Sequence, residues 1–474
     1  MKKKLTGDLL RTQSSVLSPQ HSAEGRKYWR SLAELAEAPE FKELLHQEFP
    51  RQAAGWRDSV SRRQFLQLMG ASLALAGLNA CTSRPTETIV PYVRAPEKIV
   101  PGKPLYFATA MPLGGFASGL LVESHMGRPT KIEGNPQHPA SLGATDLFSQ
   151  ASVLTLYDPD RSQTLTYLGD IRPWNAFTTA ILNALTAERA EQGAGLRILT
   201  ETVVSPTLAS QLRTLLSRFP SAQWHQYEPV GRDNVRAGAH LAFGEATHTI
   251  YNFAKADTIL ALDADFLACT PGSVRYAHDF AARRRVLAGK YEMNRLYAVD
   301  SSPSLTGATA DHRLPLRPSE IAAFAQTVAA GLGVSCVRRP ASGVSSVSSQ
   351  WLDAVVKDLQ QHRGTSLIVV GEQQPPVVHA LAHAMNHALG NVGTTVLYTD
   401  PVEANEVDHL QSLRELVEDM AAGHVKLLVI IGGNPVYTAP VDLRFTEHLD
   451  KVDLRVHLSL YDDETSALCH WHIP

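Results

Sequence analysis

A chain of 474 residues is longer than one hydrophobic core ordinarily organises, so two or three domains are expected. Its 44% hydrophobic and 19% charged content is that of a folded globular protein. A formal charge of −3, with no basic stretch interleaved with aromatics, argues against a nucleic-acid partner.

Residues 1–60 form a polar N-terminal segment. An amphipathic helix is expected over Tyr28–Gln47, where Leu32, Leu35, Ala36, Phe41, Leu44 and Leu45 recur near helical spacing and Pro39 kinks the run. Residues 61–81 then read SRRQFLQLMGASLALAGLNAC. Paired Arg62 and Arg63, followed by Phe65, Leu66 and an apolar run shorter than the ~20 residues of a spanning helix, have the form of a twin-arginine export signal. Leu78-Asn79-Ala80-Cys81 has the form of a lipobox, which makes Cys81 the candidate for lipid attachment. Residues 82–104 hold five prolines and read as an extended tether.

From Leu105 to about 165 the chain is β-rich. Gly119–Ser124 and Thr130–Glu133 predict a hairpin across Met126-Gly127-Arg128, followed by the turn-rich Gly134-Asn135-Pro136-Gln137-His138-Pro139. Beyond 165, strands and helices alternate. The strands are Leu196–Thr200, Thr258–Leu262, Leu296–Val299, Ser366–Val370, Thr395–Tyr398, Lys426–Ile431 and Leu454–Leu458. The helices follow Ser205-Pro206 to about Arg218, then Gly272–Arg285, Ser319–Gly331 with Ser319 as cap, Gln350–His362, Pro376–Leu389, Asp408–Ala422 and Asp442–Leu449. This alternation predicts an α/β fold: a small β-rich region, then two doubly wound parallel-sheet units over 166–340 and 350–474. The Ser-rich stretch Ala341–Gln350 marks the expected boundary.

Several residues invite a chemical reading. Gly432-Gly433-Asn434-Pro435 follows an apolar strand at its carboxyl end, where open parallel sheets take ligands. His379, His383 and His387 share one helix face at i, i+4 and i+8, but neither an HExxH nor a carboxylate support is present, and surface or interface histidines are the expectation. Cys469, His470 and His472 alternate along an extended segment, so all three cannot converge on a metal without a turn. Arg283-Arg284-Arg285 is expected to be a solvated helix end. The four cysteines Cys81, Cys269, Cys336 and Cys469 show no CxxC spacing, and no GxSxG or GxxxxGK[ST] occurs.

Gly127–Pro139 (GRPTKIEGNPQHP), Leu156–Arg161 (LYDPDR), Ala256–Leu267 (ADTILALDADFL), Ile430–Pro440 (IIGGNPVYTAP) and Asp462–Pro474 (DDETSALCHWHIP) together resemble the molybdopterin oxidoreductases of the bis-guanine-dinucleotide type. The resemblance implies a molybdopterin-oxidoreductase-like fold. It also implies a four-cysteine cluster motif where this chain reads YFATAMPLGGFASG and SLGATDLFSQ, without a cysteine in either. The molybdenum ligand of that family falls near Pro229–Gly238, where Asp233 is the one weak candidate. Gly134, Asn135, Pro136 and Gly432 to Pro435 (Gly433 and Asn434 between them) are then vestigial pterin-site turns. No cofactor, metal or catalytic centre is expected in this chain, and molybdopterin is not expected either.

With the internal twin-arginine segment and the Tyr28–Pro50 leader, the chain is similar to the TAT-variant-translocated molybdopterin oxidoreductases, the molybdoenzyme-like component of alternative complex III. That resemblance implies the cofactor-free structural half of one polypeptide in a membrane-associated quinol:electron-acceptor oxidoreductase. Its neighbours would be an iron–sulfur half of the same polypeptide, multihaem cytochrome c subunits and polytopic quinol-interacting membrane subunits. It also implies a chain cut short at Pro474. The expected location is the periplasmic face of the bacterial inner membrane, anchored through Cys81. Two other readings are an exported lipid-anchored binding protein, and an active molybdopterin oxidoreductase with an atypical metal site.

Overall fold

The computed structural model describes residues 98–268, 270–286, 292–334 and 347–474. The expected helix over Tyr28–Gln47, the segment with Arg62, Arg63, Phe65, Leu66 and Cys81, and most of the tether lie outside the described residues.

The chain first forms an antiparallel sheet of β1 (Leu105–Leu113), β2 (Phe116–His125) and β3 (Arg128–Gly134). Met126 and Gly127, both at positive φ, make the tight β2–β3 turn that the hairpin expectation required. A short helix, α1 (Leu147–Ala151), follows, capped by the Asp146 carboxylate on the Ser149 amide.

A seven-stranded sheet has the order β5-β4-β16-β15-β14-β6-β7. Its strands are β4 (Thr166–Tyr167), β5 (Asp170–Ile171), β6 (Leu196–Thr200), β7 (Gln223–Gln226), β14 (Leu427–Ile431), β15 (Leu454–Leu458) and β16 (Trp471–Ile473). The run β16-β15-β14-β6-β7 is parallel, and the β4–β5 hairpin closes one edge antiparallel. A second, parallel sheet has the order β11-β10-β9-β12, from β9 (Thr258–Leu262), β10 (Arg295–Asp300), β11 (His312–Pro315) and β12 (Ser366–Val370). A two-stranded ribbon pairs β8 (His248–Tyr251) with β13 (Val396–Thr399).

Alternate residues of the central strands enter opposite cores, as a sheet covered on both faces requires. In β6, Leu196 and Ile198 pack toward α2 (Trp174–Glu188) and α3 (Pro206–Arg218), while Leu199 packs with α10 (His409–Ala421). In β9, Ile259 and Ala261 face Phe253, Phe266 and α5 (Ser273–Arg284). Leu260 and Leu262 pack with α7 (Pro318–Gly331), α8 (Ser349–Gln361) and α9 (Pro376–Ala388). Between β10 and β11, the short α6 (Leu305–Thr309) is tied to the end of β9 by the Asp265 carboxylate, which accepts from the Thr306 amide at 2.9 Å. The α/β, doubly wound fold class is therefore as expected.

The partition of the chain is not. The sheet begun at Leu196–Thr200 is completed by strands from 427–473, and Ser366–Val370 joins Thr258–Leu262, so the units are nested rather than consecutive. A segment of about 230–402 carries the whole four-stranded sheet and is inserted into the seven-stranded one. The Ser-rich stretch divides nothing: Val328 and Leu332 before it share one core with Val355 and Leu359 after it. Periodicity reports which face of a strand is buried, and it holds no information about which strand lies alongside.

Two helix starts also differ. Pro318, with its fixed φ, takes the first helical position behind Arg317, which displaces Ser319 as the cap. Asp442–Leu449 is broken at Arg444, in left-handed conformation, leaving only α12 (Phe445–Leu449) as α-helix.

Candidate functional site

Both parallel sheets have a point where strand order reverses, the place at which α/β folds take ligands. In the seven-stranded sheet it lies between β6 and β14, whose register sets Ile431 opposite Thr200. Glu201 and Gly432 come next and meet: a Cβ on Gly432 would stand 2.9 Å from a Glu201 carboxylate oxygen. In the four-stranded sheet, Val370 lies opposite Leu262, and the next pair is Gly371 and Asp263. A Cβ on Gly371 would stand 2.0 Å from the Asp263 carbonyl oxygen. The same device, an acid facing a glycine just past the strand ends, occurs at both reversal points.

Asp263 sits at φ 52°, a left-handed conformation that a non-glycine residue adopts only when its surroundings hold it. Its carboxylate accepts from the Ser301 amide and hydroxyl, both at 2.9 Å, and from the side-chain amides of Gln373 (3.0 Å) and Gln374 (2.9 Å). That crevice is filled by its own side chains.

The crevice beside Gly432 keeps a cavity of about 60 Å³, lined by Thr200, Glu201, Tyr227, Gly433, Asn434 and neighbours. Glu228 accepts from the Thr202 amide at 3.0 Å. Burial raises the pKa of both Glu201 and Glu228, and in Glu201 the nearby Glu228 charge adds to it. Asn434, which leads into the short α11 (Pro435–Thr438), is fully engaged. Its amide donates to Glu464 at 2.6 Å, and its side-chain oxygen accepts from the Thr465 hydroxyl at 2.7 Å.

Behind this turn runs a buried chain of hydrogen bonds whose direction is fixed by one carbonyl. The Gly433 oxygen only accepts, so the His457 Nε2 at 3.0 Å must carry the proton. His457 Nδ1 then accepts from the Ser466 hydroxyl (2.8 Å), Ser466 accepts from His472 Nδ1 (2.8 Å), and His472 Nε2 accepts from the Ser162 hydroxyl (2.6 Å). Both imidazoles are neutral in this arrangement, and burial lowers the pKa of each. Ser466 lies in the short helix α13 (Glu464–Leu468), so the loop from β15 to β16 is tied to the glycine turn.

No known family model matches the chain. It is 25% identical over 420 residues to the menaquinone reductase, molybdopterin-binding-like subunit, of Nitratidesulfovibrio vulgaris (strain Hildenborough), covering 79% of this chain and 59% of that protein. Among solved structures it aligns with acetylene hydratase from Pelobacter acetylenicus at a TM-score of 0.55 and 13% identity, over 77% of this chain and 62% of that one. The fold is that of the molybdopterin oxidoreductases. The chain thus spans about three fifths of the length of the proteins it matches.

A molybdopterin-oxidoreductase-like fold raises the question of whether these residues fit a pterin guanine dinucleotide. They do not fit one at the Gly432 turn. Small-molecule sites enclose roughly 300–1,000 Å³, well above the volume of this cavity, and a pyrophosphate there would face the Glu201 carboxyl. At the Gly134 turn, a Cβ on Gly134 would stand 2.2 Å from the Ala144 carbonyl oxygen. The Asn135 carbonyl accepts from the amides of His138 and Gly143 and from the Ser141 hydroxyl, and Pro136 lies in the same closed loop. Asp233 offers no free carboxylate for a metal. It accepts from Arg236 and from the His409 and Leu410 amides, which makes it the link that joins α4 (Asp233–Phe243) to α10.

The histidine and cysteine candidates separate. His379 and His383, expected at a surface or an interface, are buried within the chain because α4 packs closely on α9 at Gly238. His383 Nδ1 bonds the Tyr398 hydroxyl at 2.9 Å, and His387 lines the same pocket as His383. Cys469 points into the core with Leu428 and Leu449, away from His472. Among the described residues, no group of three or more His, Cys, Asp or Glu is placed to hold a metal ion. The arginine run is not a solvated end: Arg283 pairs with Asp257, and Arg284 with Asp311. Sequence reading missed Glu201 and Glu228. Glu201 directly follows an apolar strand, the same signal that singled out Gly432.

Proposed function

We propose that this chain is the structural, non-catalytic molybdoenzyme-like half of a quinone-linked respiratory oxidoreductase, of the kind represented by the molybdoenzyme-like component of alternative complex III. The observation that carries the proposal is the acid-facing-glycine closure of both reversal points. It leaves the dinucleotide crevices filled by Asp263 or narrowed against Glu201. The relative named as a menaquinone reductase subunit supports the link to quinone chemistry. Exposed apolar residues concentrated in the β-rich region and α2 (Tyr106, Phe107, Phe148, Leu154, Ile171 and Trp174) supply a surface for an adjoining iron–sulfur half. In this role the chain contributes shape: it holds the electron-carrying modules in place and shields them from water. Multihaem cytochrome and polytopic membrane subunits complete the assembly.

The purified protein is expected to contain molybdenum, tungsten and pterin only at trace level, and to co-purify from membranes with iron–sulfur and haem subunits. One equivalent of metal and pterin per chain would overturn the proposal. Export through Arg62 and Arg63 and anchoring at Cys81 belong to the same reading. Protease treatment of spheroplasts should cut the wild-type protein at the membrane surface. Cys81→Ala should appear in the soluble periplasmic fraction once partner subunits are dissociated, and unchanged membrane retention removes the lipid anchor from the reading. Among the described residues no helix is long and apolar enough to cross a membrane.

A further inference from the structure

A second cavity shares no lining residue with either reversal point. It encloses about 780 Å³ and opens among α4, α7, α9 and β13, all within the inserted segment. That volume falls in the range of sites for small organic ligands. Among the described residues, no Asp, Glu, Lys or Arg lines it. Leu241, Phe243, Val377 and Val392 leave substantial apolar surface exposed at its wall, which water solvates poorly.

One wall is an aromatic triangle. Ring centroids of Phe243 and His383 are 5.0 Å apart, those of Phe243 and Tyr398 4.9 Å, and those of His383 and Tyr398 5.5 Å, all tilted or edge-to-face. Such faces and edges accept a further ring by stacking. Within the triangle, His383 is only 8% exposed, and burial pushes its pKa down to about 4, so the imidazole is neutral near pH 7. Its Nδ1 is paired with the Tyr398 hydroxyl, and its Nε2 has no hydrogen-bond partner among the described residues.

The pair has two equivalent settings. If Tyr398 donates to Nδ1, Nε2 carries the proton and donates into the pocket. If Nδ1 donates to the Tyr398 oxygen, Nε2 accepts. One neutral imidazole can therefore satisfy either a carbonyl or a hydroxyl on a bound ring, whereas a charged ligand would meet no Asp, Glu, Lys or Arg in the lining.

We propose that this pocket binds an uncharged, ring-bearing apolar small molecule whose carbonyl or hydroxyl oxygen hydrogen-bonds His383 Nε2. The proposal is independent of the structural role above, since a closed pair of reversal points neither requires nor forbids a ligand here.

The test is calorimetric titration of the purified full chain at pH 7 with three naphthalene-sized probes: 1-tetralone, 1-naphthol and 1-naphthalenesulfonate. The ketone and the alcohol are expected to bind, and the sulfonate at least about tenfold more weakly. His383→Phe keeps a ring in the triangle and should weaken both neutral probes about tenfold, the equivalent of one hydrogen bond. Val377→Trp alters a residue 42% exposed at the pocket wall and should abolish binding with unchanged circular dichroism, which keeps the test valid if the His383 variant misfolds. Equal binding of the sulfonate, wild-type affinity in Val377→Trp, or no binding of either neutral probe would each overturn the proposal. So would protection of the pocket in the isolated complex by another polypeptide.

Discussion

Buried imidazoles dominate the titration of this protein. Burial pushes His379, His383 and His409 to about 4, from an ordinary value near 6.5, and lowers His225, His457 and His472 in the same direction. Between the two values the unfolded chain binds more protons than the folded one. Stability is therefore full above pH 6.5 and is lost as pH falls toward 4. Glu201 and Glu228, with raised pKa values, act in the opposite sense, but they are two against eight, since burial lowers His248 and His470 as well. Urea-unfolding free energy is expected to drop between about pH 7 and pH 5, with a slope near pH 5 of at least about 1.4 kcal/mol per unit, the equivalent of one net proton. A flat profile would mean that the imidazoles are solvated. None of this was legible in the sequence, where His379 and His383 read as surface or interface residues. What buries them is Gly238, whose missing side chain lets α4 approach: a Cβ there would stand 2.3 Å from that of His379. A glycine in mid-helix looks like a weak point until its neighbour is known.

At the scale of elements, the apolar strands were legible and the exposed ones were not. Leu196–Thr200, Thr258–Leu262, Ser366–Val370 and Leu454–Leu458 match their sequence boundaries, and the first three are buried throughout. β1 was missed as a strand because most of its residues are exposed, so no alternation marks it. α2 and α4 lack a side-chain cap, and nothing announces their starts. Ser205 caps α3, as expected ahead of Pro206, and Asp408, expected as the first helical residue, instead caps α10. The contact that holds β6 to α10 was also invisible, since Arg197 and Asp419 are 222 residues apart. Arg197 is 4% exposed, and its guanidinium meets the Asp419 carboxylate at 2.6 and 2.8 Å. Asp419→Ala leaves that cation buried and unpaired, and should cost about 3 kcal/mol in equilibrium unfolding. A loss below about 1 kcal/mol would show that water reaches the arginine.

For the whole molecule, the decisive feature is nesting. A fragment ending at residue 340, the boundary that the alternation of elements predicts, keeps β6 but loses β14, β15 and β16 from one sheet and β12 from the other. It is expected to show no cooperative unfolding. A fragment of residues 230–402 keeps a complete four-stranded sheet and both its cores, and should unfold cooperatively by circular dichroism. The reverse outcome would mean that the sheets are not the folding units. The Gly432–Pro435 turn was legible because it follows a strand, but its acidic partner required knowing that β14 lies beside β6.

Nesting also sets an order of events during synthesis. β6 and β7 leave the ribosome about 200 residues before β14, the strand that β6 needs on its other side. At roughly 5–20 residues per second, they wait on the order of 10–40 s with apolar edges open. The inserted sheet is complete before that wait ends, so the inserted segment is the first part of the molecule able to fold. The host sheet closes last, when Trp471–Ile473 slides between β15 and β4. Chaperone dependence should accordingly track the two early strands rather than the insert.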